Sequence, residues 1–196
     1  DAGMTTPTHW SKSTLGQVAE IITGSTPTTT RPDYFGGKIP FVTPPDLDGR
    51  TLVSTTATTL TEIGAEQVRL IPENSVMVSC IGTLGKVGMA GCTLATNQQI
   101  NSLIFDPNYV VPKFGFHFCR TLKPLLEHMA PATTVAIVNK SRFSGIEIAV
   151  PPLDEQLRIA DILDKANEVR MKQLKAVQVA VEALEALTRL ALNGDL

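Results

Sequence analysis

The chain has 196 residues, 43% of them hydrophobic, and 17 Lys and Arg against 19 Asp and Glu give a net charge of −2. That length admits one domain and one further element, and the charge weighs against a simple nucleic-acid binder, which carries a basic excess. No run approaches the roughly 18 consecutive apolar residues of a membrane span. The amino end, Asp1-Ala2-Gly3-Met4, lacks the basic and apolar regions of a secretory signal. Cys80, Cys92 and Cys119 are odd in number and lack close pairing, so free thiols in a reducing cytoplasm are expected. Residues 1–150 hold 11 Lys/Arg and 11 Asp/Glu, so this part is neutral. Any DNA affinity there has to come from local clustering or from partner subunits.

In chain order, Trp10 to Val18 leads into Ala19-Glu20-Ile21-Ile22, followed by a hydroxyl-rich, proline-bounded loop from Thr23 to Pro32. Its backbone must be irregular. A turn at Tyr34 to Lys38 precedes a short strand at Ile39 to Val42, and Pro44 to Arg50 turns again. Residues 51–63, rich in threonine, suit extended chain, and Glu62 to Leu70 reads as a short helix. Val76 to Ile81 is a continuous apolar run of the kind found in buried strands. Gly82 to Gly88 is a glycine hairpin, and Ile100 to Phe105 a further strand after Asn97-Gln98-Gln99. Pro112 to His128 reads as helix bent at Pro124, with strands at Thr133 to Val138 and Ile146 to Val150. Short strands separated by turns predict an α+β fold with a mainly β domain over 1–150.

The last quarter, 151–196, is different. Pro151-Pro152 ends irregular chain, Asp154 is placed to cap, and Glu155 suits the positive end of a helix. Neither Pro nor Gly follows until Asn193-Gly194, which predicts one helix of roughly 38 residues, about 57 Å long. Leu163, Ala166, Arg170, Leu174, Val177, Val181 and Leu184 recur at spacings of 3, 4, 4, 3, 4 and 3, heptads with a stutter near Arg170. Further apolar residues, Val179 to Ala191, widen that surface. The preceding domain is too small to cover such a helix, so a partner helix is expected on Leu163, Ala166, Leu174, Val177, Val181 and Leu184.

Catalytic patterns are missing. Gly82, Gly85 and Gly88 give neither a dinucleotide fingerprint nor a phosphate loop. Thr43-Pro44-Pro45-Asp46 lacks the amide and aromatic that would hold a flipped base. His9, His117 and His128 stand apart from any ligand spacing, and no serine sits in a nucleophile elbow. No metal or cofactor is therefore expected. What remains is hydroxyl- and amide-rich loops with single cations. Asn97 and Gln98 have the side chains that bond adenine bidentately in a major groove, although amides beside a buried strand serve equally to satisfy backbone. Thr28, Thr29, Thr30 and Arg31, with Lys38, Arg50, Lys86, and Lys140-Ser141-Arg142, are the candidate phosphate contacts.

Taken in order, several motifs resemble the specificity subunit of type I restriction–modification systems. They are Leu15-Gly16-x-Val18, Gly24-Ser25-Thr26-Pro27, Tyr34-Phe35-Gly36-Gly37-x-Ile39-Pro40, Asp46-Leu47, Ile81 to Val87, Asn97-Gln98-Gln99, Pro151-Pro152-Leu153-x-Glu155-Gln156, and the close at Gly194-Asp195-Leu196. The resemblance runs from about Trp10 to the last residue. It implies a target recognition domain followed by a helical spacer, without catalysis of its own. It implies reading of one half of a bipartite site on double-stranded DNA. It further implies docking of methyltransferase subunits, which use S-adenosylmethionine, and through the complex an association with the restriction/translocase subunit. Such subunits usually have two recognition domains and two spacer helices pairing antiparallel. This chain has one of each, which implies either a half-length subunit that dimerises or a fragment of a longer one, with a second specificity half joined through the long helix. The competing reading is a non-catalytic β module on a coiled-coil stalk that binds protein or glycan.

Overall fold

The computed structural model describes residues 7–47, 52–131 and 135–193. The chain starts with β1 (Ser11–Thr14), a single helical turn α1 (Leu15–Val18) and β2 (Ala19–Thr23). A reciprocal cap forms α1, with the Thr14 backbone N–H donating to Gln17 Oε1 at 2.9 Å. Next come β3 (Phe35–Val42), β4 (Leu52–Val53), β5 (Thr58–Leu60), α2 (Glu62–Ala65) and β6 (Leu70–Ile71). Then follow β7 (Val76–Ser79), β8 (Val87–Ala90), β9 (Leu94–Thr96) and β10 (Ile100–Phe105). Last come α3 (Pro112–Arg120), α4 (Lys123–Met129), α5 (Lys140–Ser144), β11 (Glu147–Val150) and α6 (Leu153–Asn193).

The α+β class holds: short strands first, one long helix last. Several boundaries differ from the expectation, each for a physical reason. Helix α2 ends at Ala65, and Leu70–Ile71 pairs with β9 instead of extending it. The stretch expected to bend at Pro124 is two helices separated at Thr121-Leu122, because proline is tolerated near the start of a helix and not inside one. Of the strand expected over Thr133 to Val138, residues 133 and 134 lie outside those described, and Ile137 makes only an isolated bridge to Ile81. Helix α6 opens one residue before Asp154, so the Pro152 carbonyl accepts from the N–H groups of Glu155 and Gln156.

Three sheets form: β1-β11, the five-stranded β2-β10-β7-β8-β4, and the four-stranded β5-β3-β9-β6. The larger two share a core of Ile22, Val42, Leu47, Val53, Ile71, Met77, Ala90, Leu94 and Ile100, all buried. At about 25 cal/mol per Å² of apolar surface removed from water, such clusters are the main favourable term in folding. A second cluster, Phe41, Leu60 and Ala95, is flanked by Phe35, Ile39 and Val68. Helix α3 lies on β7, β8 and β10 and buries Phe114, Phe116 and Cys119. Burial pushes the Cys80 thiol up to about 11 and the Cys119 thiol higher still.

Two compact units are present, one up to Leu157 and one from Arg158 onward. In the first, Gln156 is fully buried. Its Oε1 accepts from the Val111 N–H at 2.8 Å, and its Nε2 donates to the carbonyls of Pro151 (2.8 Å) and Tyr109 (3.0 Å). Glu155 accepts from Trp10 Nε1 at 3.0 Å and meets His9 Nε2 at 2.9 Å. These bonds tie the first turn of α6 to β1 and to the turn before α3. The described residues of the second unit are all helix, and from Asp161 to Asn193 none is buried.

Candidate nucleic-acid interface

One end of the five-stranded sheet gathers most of the polar loops. Strand register puts Thr23 opposite Asn101 and Ser79 opposite Ile100, so the chain leaving β2, entering β10 and leaving β7 meets there. Val42 pairs with Thr96 and accepts from the Asn97 N–H at 3.0 Å, which brings in the end of β3. The segment before α5 joins through Gly82 N–H to the Ala136 carbonyl (2.9 Å) and Val138 N–H to the Cys80 carbonyl (2.9 Å).

The Asn97-Gln98-Gln99 turn holds this end together. Asn97 is buried; its Oδ1 accepts from the Gln99 N–H at 3.1 Å and its Nδ2 donates to Gln99 Oε1 at 2.9 Å. Gln99 Nε2 in turn donates to the Ile81 carbonyl at 3.2 Å, anchoring the glycine loop. Gln98 points the other way, exposed, and its Oε1 accepts from the Thr26 hydroxyl at 2.6 Å. Gly24 makes this approach possible. A Cβ there would lie 2.3 Å from the carbonyl oxygens of Thr96 and Asn97, closer than any side chain tolerates.

The candidate cations divide. Lys86 is half-buried, and its ammonium donates to the Pro44 carbonyl at 3.1 Å, so it ties the glycine loop to the turn after β3. Arg31 grips Asp33 through two bonds of 2.9 and 2.6 Å and lies 4.8 Å from the Tyr34 ring centroid. The hydrogen bond from Arg31 holds the Asp33 carboxyl below the usual carboxylate range. Lys140, Ser141 and Arg142 are exposed on α5, which Asn139 caps by accepting from the Arg142 N–H at 2.9 Å. Lys38 is exposed within β3, and Arg50 lies outside the described residues. Thr28, Thr29 and Thr30 are exposed on the loop leading from Thr26 toward the start of β3, with the Thr28 and Thr30 hydroxyls 3.0 Å apart.

The structure thus brings together Asn97, Gln98, Lys86 and the start of α5 at one end. Arg31 and Lys38 belong to the opposite end and middle of β3. Sequence reasoning gave no site role to Thr26, Gln99 or Gln156. Each sits inside a quoted motif, yet which amide turns inward depends on strands far apart in sequence. Among the described residues no group of His, Cys, Asp and Glu is placed to hold a metal ion. Among the same residues no helix is long and apolar enough to cross a membrane.

Comparison with known proteins agrees with this architecture. Residues 7–182 match the family described as type I restriction modification DNA specificity domain. The type I restriction enzyme HindI specificity subunit of Haemophilus influenzae is 30% identical over 97% of this chain and 42% of its own length. The MjaIX specificity subunit of Methanocaldococcus jannaschii is 27% identical over 90% of this chain and 43% of its own. Among solved structures, the HsdS subunit from Thermoanaerobacter tengcongensis superposes with a TM-score of 0.69 at 22% identity, covering 91% of this chain and 42% of that one. A chain from a study of assembly and conformational transition of the type I R-M system reaches 0.74 at 24% identity, over 93% of this chain and 44% of that one. The chain spans less than half the length of these relatives. With a match running from residue 7 to residue 182, the chain belongs to the type I restriction modification DNA specificity domain family.

Proposed function

We propose that this chain reads one half of an interrupted site on duplex DNA for a type I restriction–modification complex in the cytoplasm, and performs no chemistry itself. The observation that carries this reading is the family match over residues 7–182, set on a body whose polar loops converge at one sheet end. Exposed Lys140, Ser141 and Arg142, with Lys38 and the Thr28, Thr29 and Thr30 hydroxyls, are its proposed contacts to phosphate. Asn97 and Lys86 act behind them, holding loops in place. Methyltransferase subunits dock on the assembled complex and supply the chemistry, and the restriction/translocase subunit joins through them. The test is binding of the full chain to duplex DNA over a range of salt. Log affinity should fall linearly with log salt, by about 0.9 per phosphate contact. Binding that ignores salt and sequence would overturn the reading.

The second half is a second copy of this chain, paired antiparallel along α6. The charges on α6 support that occupant, because they are self-complementary. Within one helix Asp161 pairs with Lys165 at 2.6 Å and Glu185 with Arg189 at 3.7 Å. Antiparallel pairing centred between Lys175 and Ala176 brings Asp161 within one residue of Arg189, Lys165 within one residue of Glu185, and Arg170 within one residue of Glu182. The same register places Leu174 over Val177. Apolar contact at the seam with opposite charges flanking it is how paired helices choose orientation.

A further inference from the structure

Gln98 sits between two amides that are fully engaged inward, and it is the one that faces out. Its orientation is not free. The Thr26 hydroxyl donates to Oε1 at 2.6 Å. Thr26 is itself held, because the Ser25 N–H donates to the Thr96 carbonyl at 3.0 Å, Gly24 packs on the Thr96 and Asn97 carbonyls, and Pro27 is buried. With the carbonyl end of the amide turned to Thr26, the Nε2 end is presented outward and has no partner among the described residues. An amide nitrogen offers two donors and no acceptor.

We propose that Gln98, oriented by Thr26, is a specificity-determining residue that donates to acceptor atoms on a base edge in the major groove. This rests on the DNA reading above and sharpens it. Bidentate pairing with adenine needs a glutamine to present donor and acceptor side by side. Here the acceptor is drawn toward the protein, so an edge with two acceptors fits better. Guanine, with O6 and N7, presents that edge. A phosphate oxygen also accepts, and the two sources separate experimentally because only a base contact is tied to one position of the site.

The experiment is selection from a randomised duplex library by the full chain, as wild type and as Gln98→Ala, Gln98→Glu and Thr26→Val. Gln98→Ala should lose about tenfold in discrimination at one base pair and leave the other positions unchanged. Gln98→Glu, which replaces donors by acceptors, should shift that pair toward cytosine, whose N4 donates on the same groove edge. Thr26→Val should weaken preference at that same pair by releasing the amide. Unchanged base preference in all three variants overturns the proposal. So does an equal loss of affinity for every sequence, which would make Gln98 a phosphate contact. If wild type itself selects no sequence and shows no salt dependence, the DNA reading fails first and takes this inference with it.

Discussion

The body and the helix beyond it obey opposite rules. In the body, apolar side chains from distant strands meet, and buried amides close on backbone groups: Asn97 on Gln99, Gln99 on Ile81, Gln156 on Val111, Tyr109 and Pro151. In the helix from Asp161 to Asn193 no residue is buried, ion pairs join residues one turn apart, and Val177 and Leu184 are 62% and 66% exposed. The body turns these amides inward, whereas the helix carries a stripe of exposed Leu and Val. Ion pairs this exposed are screened by water and do not hold a helix of 41 residues by themselves. Tertiary or quaternary packing of the apolar stripe has to do so.

The largest way to break this comparison is to remove the stripe. Under the proposed pairing of two copies along α6, replacing Leu174, Val177, Val181 and Leu184 together by Glu should leave monomer at micromolar concentration in sedimentation velocity. The body should keep its thermal transition. A dimer that survives all four changes would put the interface elsewhere. Next in size, Gln156→Leu leaves one N–H and two carbonyls without their partner inside the body. At about 1–3 kcal/mol per orphaned buried group, the loss should be at least about 3 kcal/mol, read as a midpoint roughly 10 °C lower in thermal denaturation. A shift of only a degree or two would show that water replaces the amide.

A third change separates structural from binding cations. Lys140→Gln with Arg142→Gln should flatten the salt dependence of DNA binding by about two units, equally for every sequence. Lys86→Gln should leave the slope alone and lower stability by about 1 kcal/mol, because its ammonium already binds the Pro44 carbonyl. A flattened slope in the Lys86 variant would mean that this lysine leaves Pro44 to meet DNA. The smallest effect is a pH dependence. The Cys80 thiol is raised from 9.0 to about 11 in the folded state, so its neutral form is favoured by folding. The unfolded chain deprotonates first, and the contribution, full below pH 9, is lost as pH rises toward 11. Urea denaturation at pH 8 and pH 10.5 should show this loss in wild type and less of it in Cys80→Ala.

The same contrast explains what could be read from sequence. Strand β10 was legible to the residue, since Ile100 to Phe105 is an apolar run after a polar turn. The long helix was legible because nothing in it breaks a helix, and its bounds differ from expectation by a residue or two. Strand β9, three residues long, was not, because its pairing with β3 and β6 comes from partners far along the chain. The site behaved likewise. Asn97, Gln98 and Gln99 stood out by composition, but only the folded turn shows that two face inward and one outward. Lys86 looked like a phosphate contact because lysine beside glycine in a loop carries no mark of a carbonyl waiting at Pro44.

The central claim is that α6 sets the distance between two copies of a half-site reader. Two-fold pairing predicts a palindromic, interrupted site. At 41 residues a rod of about 61 Å sets an upper guide of roughly 18 base pairs for the gap, at about 3.4 Å per pair. The direct measurement is site selection from a randomised duplex library by the full chain, with and without one heptad inserted after Val177. One heptad adds about 10 Å, so the gap should widen by about three base pairs while both half-sites keep their bases. A gap that stays fixed while selective binding survives would contradict the account and make the helix a clamp.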